Sequence, residues 1–228
     1  RNGGSAWAIL RRKLGTAEEK RRVGTGIWTA FGTTDPLSFA GGEGFPGKLA
    51  EIPDPPYGIF YRGKLPDENE PAVAVIGARE CSEYGRYVAE ELGQYLGRAG
   101  IQVISGMARG IDGISQQAAL SAGGTSYGVL GCGVDICYPA QNRRLYEELL
   151  EKGGLLSTYA PGTKPLPQYF PPRNRIVSGL SDALIVIEAR QKSGRVDHGG
   201  YGTGTGRDVS CGCRAGCTDS SVTAAIIC

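Results

Sequence analysis

The sequence predicts an α/β fold: an extended Rossmann-like, doubly wound and mostly parallel sheet with helices on both faces. Three observations carry this reading. Between residues 72 and 189, short apolar runs alternate with segments of helical periodicity. The apolar runs are continuous rather than alternating, as strands covered on both faces should be. Each run is also separated from the next by enough chain for a helical crossover, a connection that is right-handed in nearly all proteins and returns the next strand parallel.

The elements follow in order. AVAVIGAR, residues 72–79, reads as the first strand, ending in Gly77 and Arg79. In SEYGRYVAEELGQYLGRAG, residues 82–100, Tyr84, Val88, Leu92, Tyr95, Leu96 and Ala99 recur three or four apart. A helix is expected there, with Ser82 as its N-cap and Gly100 as its stop. IQVISG is the second strand, GIDGISQQAALSAGG the second helix with Asp112 as candidate cap, and TSYGVLGCG the third strand. NRRLYEELLEKGG places Leu145 and Leu149 on one face of a third helix, and GLLSTY is the fourth strand. After a proline-rich loop over residues 160–172, RNRIVSGLSD predicts a short helix and ALIVIEA the fifth strand.

At 228 residues the chain has room for one ordinary domain and an attachment. Residues 71–194 are read as the Rossmann-like domain. Residues 43–70, rich in proline and short apolar runs, are expected to form an extended arm packing on the sheet, and residues 1–42 carry no pattern that assigns them a structure. No run of about 18 apolar residues is present to span a bilayer. The start, RNGGSAWAILRRKLGTAEEK, lacks a secretory h-region followed by a small-residue cleavage site, so a cytoplasmic location is expected. A net charge of +2 does not mark a nucleic-acid partner by itself; such a partner must be met by charge clustered on one face.

Residues 195–228 have a different character, alternating glycine with threonine or cysteine. Cys211, Cys213, Cys217 and His198 lack the paired C-x2-C knuckles of structural zinc folds, so no metal is expected. A flexible glycine-rich tail is one reading. The genetic code offers another. VDHGGYGTGTG, residues 196–206, can be encoded so that a reading one base later gives LITVDMALEQG, a good amphipathic helix. The tail is accordingly expected to be a frameshifted translation whose glycines and cysteines encode no evolved chemistry; an intact frame through Cys228 in the native gene would sink this hypothesis.

In a doubly wound sheet, ligands bind beyond the carboxyl ends of the strands. Strand one delivers Gly77, Ala78 and Arg79 there; strand two delivers Ser105, Gly106, Met107, Ala108, Arg109 and Gly110; strand three delivers Gly131, Cys132 and Gly133. Small residues let backbone N–H groups approach an anion, and Arg79 and Arg109 can fork onto phosphate oxygens. The simpler reading of each glycine is a tight turn. The first strand turn lacks G-x-G-x-x-G, which argues against a dinucleotide, and no G-x-S-x-G is present. The only histidine, His198, falls in the tail, so neither Ser105 nor Ser157 has an evident base. Asp112 and Asp135 read as a helix cap and a turn residue, with acid roles as the alternative. In GTKPLPQYFPPRNR, Lys164, Arg173 and Arg175 supply charge for a phosphodiester backbone, and Tyr169 and Phe170 supply faces for unpaired bases. Phe170 as a core plug beside stiffening prolines remains the other reading of that segment.

AVIGARECSEYG, ISGMARGIDG, GVLGCGVDICYPAQNRRLYEEL, PGTKPLPQYFPPRNRIVSGLSDALIVIEA and the following KSG, in this order, resemble the DNA-processing protein A (DprA, or Smf) family over about residues 45–194. The resemblance implies a protein that binds single-stranded DNA, forms a homodimer, and helps load the RecA recombinase onto incoming DNA during natural transformation. It implies no enzyme, no cofactor and no membrane partner. Carried over by motif, the DNA site comprises Arg79, Ser105, Gly106, Arg109, Phe170, Arg173, Asn174 and Arg175, with Lys164 on a basic loop. The sequence departs from the family in STY at residues 157–159, where an acidic residue usually follows the serine, and in the tail, where a helix and strand are expected to be lost although GRDV at residues 206–209 keeps the motif. A winged-helix-like C-terminal domain, which the resemblance associates with many members, is expected to be absent. The competing class is a Rossmann-type nucleotide-processing enzyme, phosphoribohydrolase-like, but its P-G-G-x-G-T-x-x-E motif is missing.

Overall fold

The structure, a computed structural model, describes residues 35–42 and 44–188 and the backbone of residues 208–212. The chain first forms β1 (Leu37–Phe39), the one-turn helix α1 (Gly47–Ala50) and β2 (Gly58–Gly63). It continues through β3 (Ala72–Gly77), α2 (Glu83–Arg98), β4 (Gln102–Ser105), α3 (Ile111–Ser121), β5 (Ser126–Val129), α4 (Arg143–Lys152) and β6 (Gly153–Ser157). The last described elements are α5 (Phe170–Gly179), β7 (Ala183–Ile187) and β8 (Asp208–Gly212). Among the described residues no helix is long and apolar enough to cross a membrane.

The strands form a single sheet in the order β1-β2-β6-β5-β4-β3-β7-β8. From β6 to β8 all neighbours are parallel, while β2 pairs antiparallel with β6 and β1 antiparallel with β2. The connections β3 to β4 to β5 to β6 step in one direction, whereas β7 returns to the far side of β3. Right-handed crossovers in opposite directions place their helices on opposite faces. The core shows this directly. Ala74 and Ile76 of β3, Ile104 of β4 and Leu156 of β6 pack with Ile176, Val177 and Leu180 around α5, whereas Val75 and Val103 pack with Ala89, Leu96 and Ala119 of α2 and α3. Leu145 and Leu149 of α4 meet Leu155 of β6 on that second face. Period-two alternation along strands whose two faces are both apolar produces the continuous apolar runs seen in the sequence.

The local details divide into agreements and corrections. Ser82 caps α2, its hydroxyl accepting from the Gly85 N–H at 3.1 Å, and Gly100 follows that helix at φ 70°. Asp112 does not cap α3. Gly110 holds the N-cap position at φ 76°, and Asp112 lies buried in the first turn, where its carboxylate accepts from the Gly77 N–H at 3.2 Å. The helix expected from Arg173 starts at Phe170, with Pro171 and Pro172 in its first turn, where a missing N–H costs nothing. The segment read as an extended arm contributes a true strand: β2 runs alongside β6 with Phe60 opposite Ser157. β1 lies in the segment that had no assignment. Arg62 of β2 bridges Asp35 and also donates to the Tyr146 hydroxyl of α4 at 3.4 Å, which ties these added strands to the helical layer. The strand expected to be lost is present as β8, pairing with β7 from Ala183 opposite Asp208 to Ile187 opposite Gly212. The segment in which a helix is expected to be lost, and the Cys213, Cys217 and His198 positions, lie outside the described residues.

Candidate nucleic-acid interface

The carboxyl ends of β3, β4 and β5 open into a cleft of about 380 Å³. Two loops, that after β3 and that after β4, form one side, and the second has an unusual backbone. Met107 has φ 53° and Gly110 φ 76°, a region in which a side chain is strained and glycine is not. A Cβ on Gly110 would lie 2.1 Å from the Ala78 carbonyl oxygen and 2.6 Å from that of Arg79. The two loops therefore touch backbone to backbone, and the Ile111 N–H donates to the Ala78 carbonyl at 3.1 Å. This contact places Arg79 and Arg109 in the lining of the same cleft. Both are exposed, and neither makes an ion pair among the described residues.

The loop between β4 and α3 is held from behind. Gln116, fully buried, accepts from the Met107 N–H at 3.1 Å and donates to the Ser126 hydroxyl and the Tyr127 carbonyl, both at 3.1 Å. Asn142 donates to the Met107 and Ala108 carbonyls at 2.9 and 3.1 Å. Buried polar groups satisfied in this way fix a loop conformation that apolar packing alone would leave loose.

Phe170 closes the opposite side. It is half-buried, packs over Gly131, and lies 5.7 Å from the Tyr138 ring by centroid. The guanidinium groups of Arg79 and Arg173 sit 5.9 and 5.7 Å from the centre of its ring, within cation–π range. Phe170 is thus neither a pure core plug nor a free platform; part of its surface faces the cleft between cations.

Arg173 behaves differently from the two exposed arginines. It is only 6 % exposed, and its guanidinium donates to the Gly106 carbonyl at 2.8 Å and to the Val129 carbonyl, stitching the ends of β4 and β5 together. Its Nε donates to the Asn174 side-chain carbonyl at 3.3 Å. A Cβ on Gly106 would fall 2.6 Å from Arg173 and 2.8 Å from the Asp112 carboxylate, so only glycine leaves room for the two charges there. Burial pulls the Arg173 pKa down, and the Asp112 carboxylate opposes the fall. Arg173, expected to supply charge for phosphate, borders the cleft with its Nε and one terminal nitrogen engaged by the fold.

The remaining sequence-derived residues separate in the same way. Ser105 is fully buried, its hydroxyl donating to the Val75 carbonyl at 2.6 Å. Gly106 lines the cleft, while buried Asn174 lies beneath it as a partner of Arg173. Arg175 turns away, donating to the Pro53 and Asp54 carbonyls and pairing with the Asp54 carboxylate at 3.4 Å. Arg175→Ala is expected to leave oligonucleotide affinity within about twofold of wild type and to lower stability by roughly 0.5–1 kcal/mol, checked by titration and urea unfolding. Lys164 is exposed outside the cleft lining, on a loop that the Asp135 carboxylate anchors through the Gly162 N–H at 2.8 Å. Asp135 is therefore a turn residue, as the simpler reading had it.

Sequence reasoning missed one wall. Cys137, Tyr138, Pro139, Ala140 and Gln141 line the cleft, brought there by the loop from β5 to α4. The tyrosine–proline pair beyond the third strand was its signal, since a loop at a strand's carboxyl end must border the crevice. The thiols there are not activated. Burial pushes the Cys132 pKa up to about 11 and also raises that of Cys137. Among the described residues no group of three His, Cys, Asp or Glu side chains is placed to hold a metal. What the cleft offers is positive charge, an aromatic face and carbonyl-braced loops, which suits binding an anionic, partly aromatic ligand.

Comparison with known proteins agrees with this chemistry. Residues 37–223 match the family described as DNA recombination-mediator protein A. The chain is 41 % identical over 165 residues to DNA processing protein DprA of Streptococcus pneumoniae, covering 72 % of this chain and 58 % of that protein. It is 39 % identical over 170 residues to protein Smf of Synechocystis, covering 72 % of this chain and 42 % of the relative. The chain thus spans about half the length of the curated relatives it matches. Among solved structures, DNA processing protein A from S. pneumoniae superposes with a TM-score of 0.74 at 36 % identity, covering 81 % of this chain and 65 % of that one. DNA processing protein A from Helicobacter pylori, a structure described for its single-stranded DNA binding mode, gives 0.68 at 28 % identity, covering 76 % and 79 %. With residues 37–223 matched by the family and relatives at 39 and 41 % identity over 72 % of its length, the chain belongs to the DNA recombination-mediator protein A family.

Proposed function

We propose that this protein is a single-stranded DNA-binding recombination mediator whose cleft grips the phosphodiester backbone through Arg79 and Arg109 and stacks an unpaired base near Phe170. The observation that carries this reading is the pair of exposed guanidinium groups, without an ion pair among the described residues, lining one cleft with a half-exposed aromatic ring. Backbone contacts of this kind carry no sequence information, so binding is nonspecific and salt-dependent. Within the same reading the protein is cytoplasmic, acts as a homodimer, protects incoming DNA and helps load RecA in natural transformation, without enzymatic turnover. The binding described for the H. pylori relative supports it.

A nucleotide-processing role is disfavoured by the N terminus of α2, where Rossmann enzymes hold a phosphate. Here the Glu188 carboxylate accepts from the Ser82 N–H at 2.8 Å and from its hydroxyl, so an internal anion already fills that position. The test is a fluorescence-anisotropy titration of labelled single- and double-stranded oligonucleotides at two salt concentrations. Wild type is expected to prefer single strands. Arg109→Glu is expected to bind roughly ten- to a hundredfold more weakly, the worth of a hydrogen bond to a charged group, and its log–log salt slope should shrink by about 0.7. Equal binding by wild type and Arg109→Glu would rule out the cleft.

A further inference from the structure

We infer that Asn142 is a positioning residue of the DNA cleft, holding the loop that presents Arg109. The inference rests on the DNA-binding reading of that cleft and adds a residue that touches no ligand.

Asn142 stands at the N-cap of α4, where an asparagine ordinarily accepts a hydrogen bond from the exposed N–H groups of the first turn. It makes no such capping bond. Its side-chain amide instead donates across the sheet end to two consecutive carbonyls, Met107 at 2.9 Å and Ala108 at 3.1 Å. Those carbonyls belong to the turn in which Met107 takes φ 53° and Gly110 φ 76°. Such a turn directs successive carbonyls to one side and needs a donor facing them. The Gly113 N–H supplies another donor to Ala108 at 3.0 Å, and a Cβ on Gly113 would stand 3.1 Å from the Asn142 amide nitrogen, so the glycine keeps the approach open.

Asn142 is half-buried and lies behind the loop, outside the cleft lining. Arg109 lies on the cleft side of the same turn. Gln116 braces Met107 from the core through its N–H, but it also bonds β5 and therefore serves the fold as a whole. Asn142 differs in that its side chain bonds only this loop among the described residues, at the expense of its own helix. The diversion separates the two roles experimentally. Serine or aspartate at this position can cap α4 but cannot supply two amide donors to the loop.

The experiment compares Asn142→Ser, Asn142→Asp and Arg109→Ala, and the two combinations of an Asn142 variant with Arg109→Ala, by Tm and by oligonucleotide titration over a salt series. Asn142→Ser and Asn142→Asp are expected to keep the wild-type Tm or exceed it. Both should bind single strands about tenfold more weakly, with a log–log salt slope reduced by about 0.7, the value for one lost phosphate contact on a single strand. In the Arg109→Ala background the same substitutions should change affinity less than twofold, because the residue acts through Arg109. Wild-type affinity in both Asn142 variants, a full tenfold loss persisting without Arg109, or a Tm drop in both variants would each overturn the inference while leaving the DNA-binding reading intact. If Arg109→Ala and Arg109→Glu bind as wild type does, the cleft reading falls first and the role of Asn142 falls with it.

Discussion

Arg173→Met is expected to destabilise the protein by roughly 3–5 kcal/mol, the range for removing one partner of a buried charge pair. Methionine fills much of the volume but donates nothing. The Gly106 and Val129 carbonyls at the ends of β4 and β5 lose their shared donor, and the Asp112 carboxylate loses the cation it faces across Gly106. An arginine suits this site because one guanidinium nitrogen donates to both carbonyls while Nε donates to the Asn174 side chain, a spread of donors that a lysine's single ammonium does not reproduce. Arg173→Lys should therefore recover only part of the loss. Urea unfolding measures both variants. A midpoint for Arg173→Met within about 0.5 kcal/mol of wild type, the usual scale of a surface substitution, would show that this guanidinium is not structural.

Gly110→Ala is expected to damage fold and binding together. With φ 76° and ψ −136°, Gly110 occupies a region that L side chains rarely enter, and its added Cβ would stand 2.1 Å from the Ala78 carbonyl oxygen. Backbone strain alone costs about 1–3 kcal/mol. The steric clash adds to it by forcing apart the two loops that carry Arg79 and Arg109, so affinity for single strands should fall even where the folded fraction remains high. Gly100→Ala is the control, since Gly100 has φ 70° but open space around its Cα. That variant should lose only about 1 kcal/mol in thermal unfolding and bind DNA normally. A Gly110→Ala protein with the Gly100→Ala phenotype would contradict the close approach of the loops.

Much of the fold is legible in the sequence because its signals are local. The run from Ala72 to Gly77, the 3–4 spacing along α2 and the capping serine at Ser82 each specify their element over a few neighbouring residues. The positions of Arg79 and Arg109 just beyond strand ends follow from the same local pattern. β1 and β2 were not legible as strands. GIFYRG is short and follows prolines, and its strand character depends on the open edge of β6, nearly a hundred residues away. The start of α5 was misjudged at Pro171 and Pro172 because prolines mark a loop by default and fit a helix only in its first turn.

The basic residues mark the clearest division. By itself the sequence determined that Arg79 and Arg109 stand just beyond the carboxyl ends of parallel strands, and its resemblance to the family implied that Arg173 and Arg175 join them. Only the tertiary structure decided which of them remain free for a ligand. Arg173 is engaged by carbonyls from β5 and the end of β4, and Arg175 by Pro53 and Asp54, all contributed by segments 44 to 122 residues away. Whether a guanidinium is buried and bonded or exposed depends on which distant carbonyls and carboxylates face it, and no pattern of neighbouring residues carries that information.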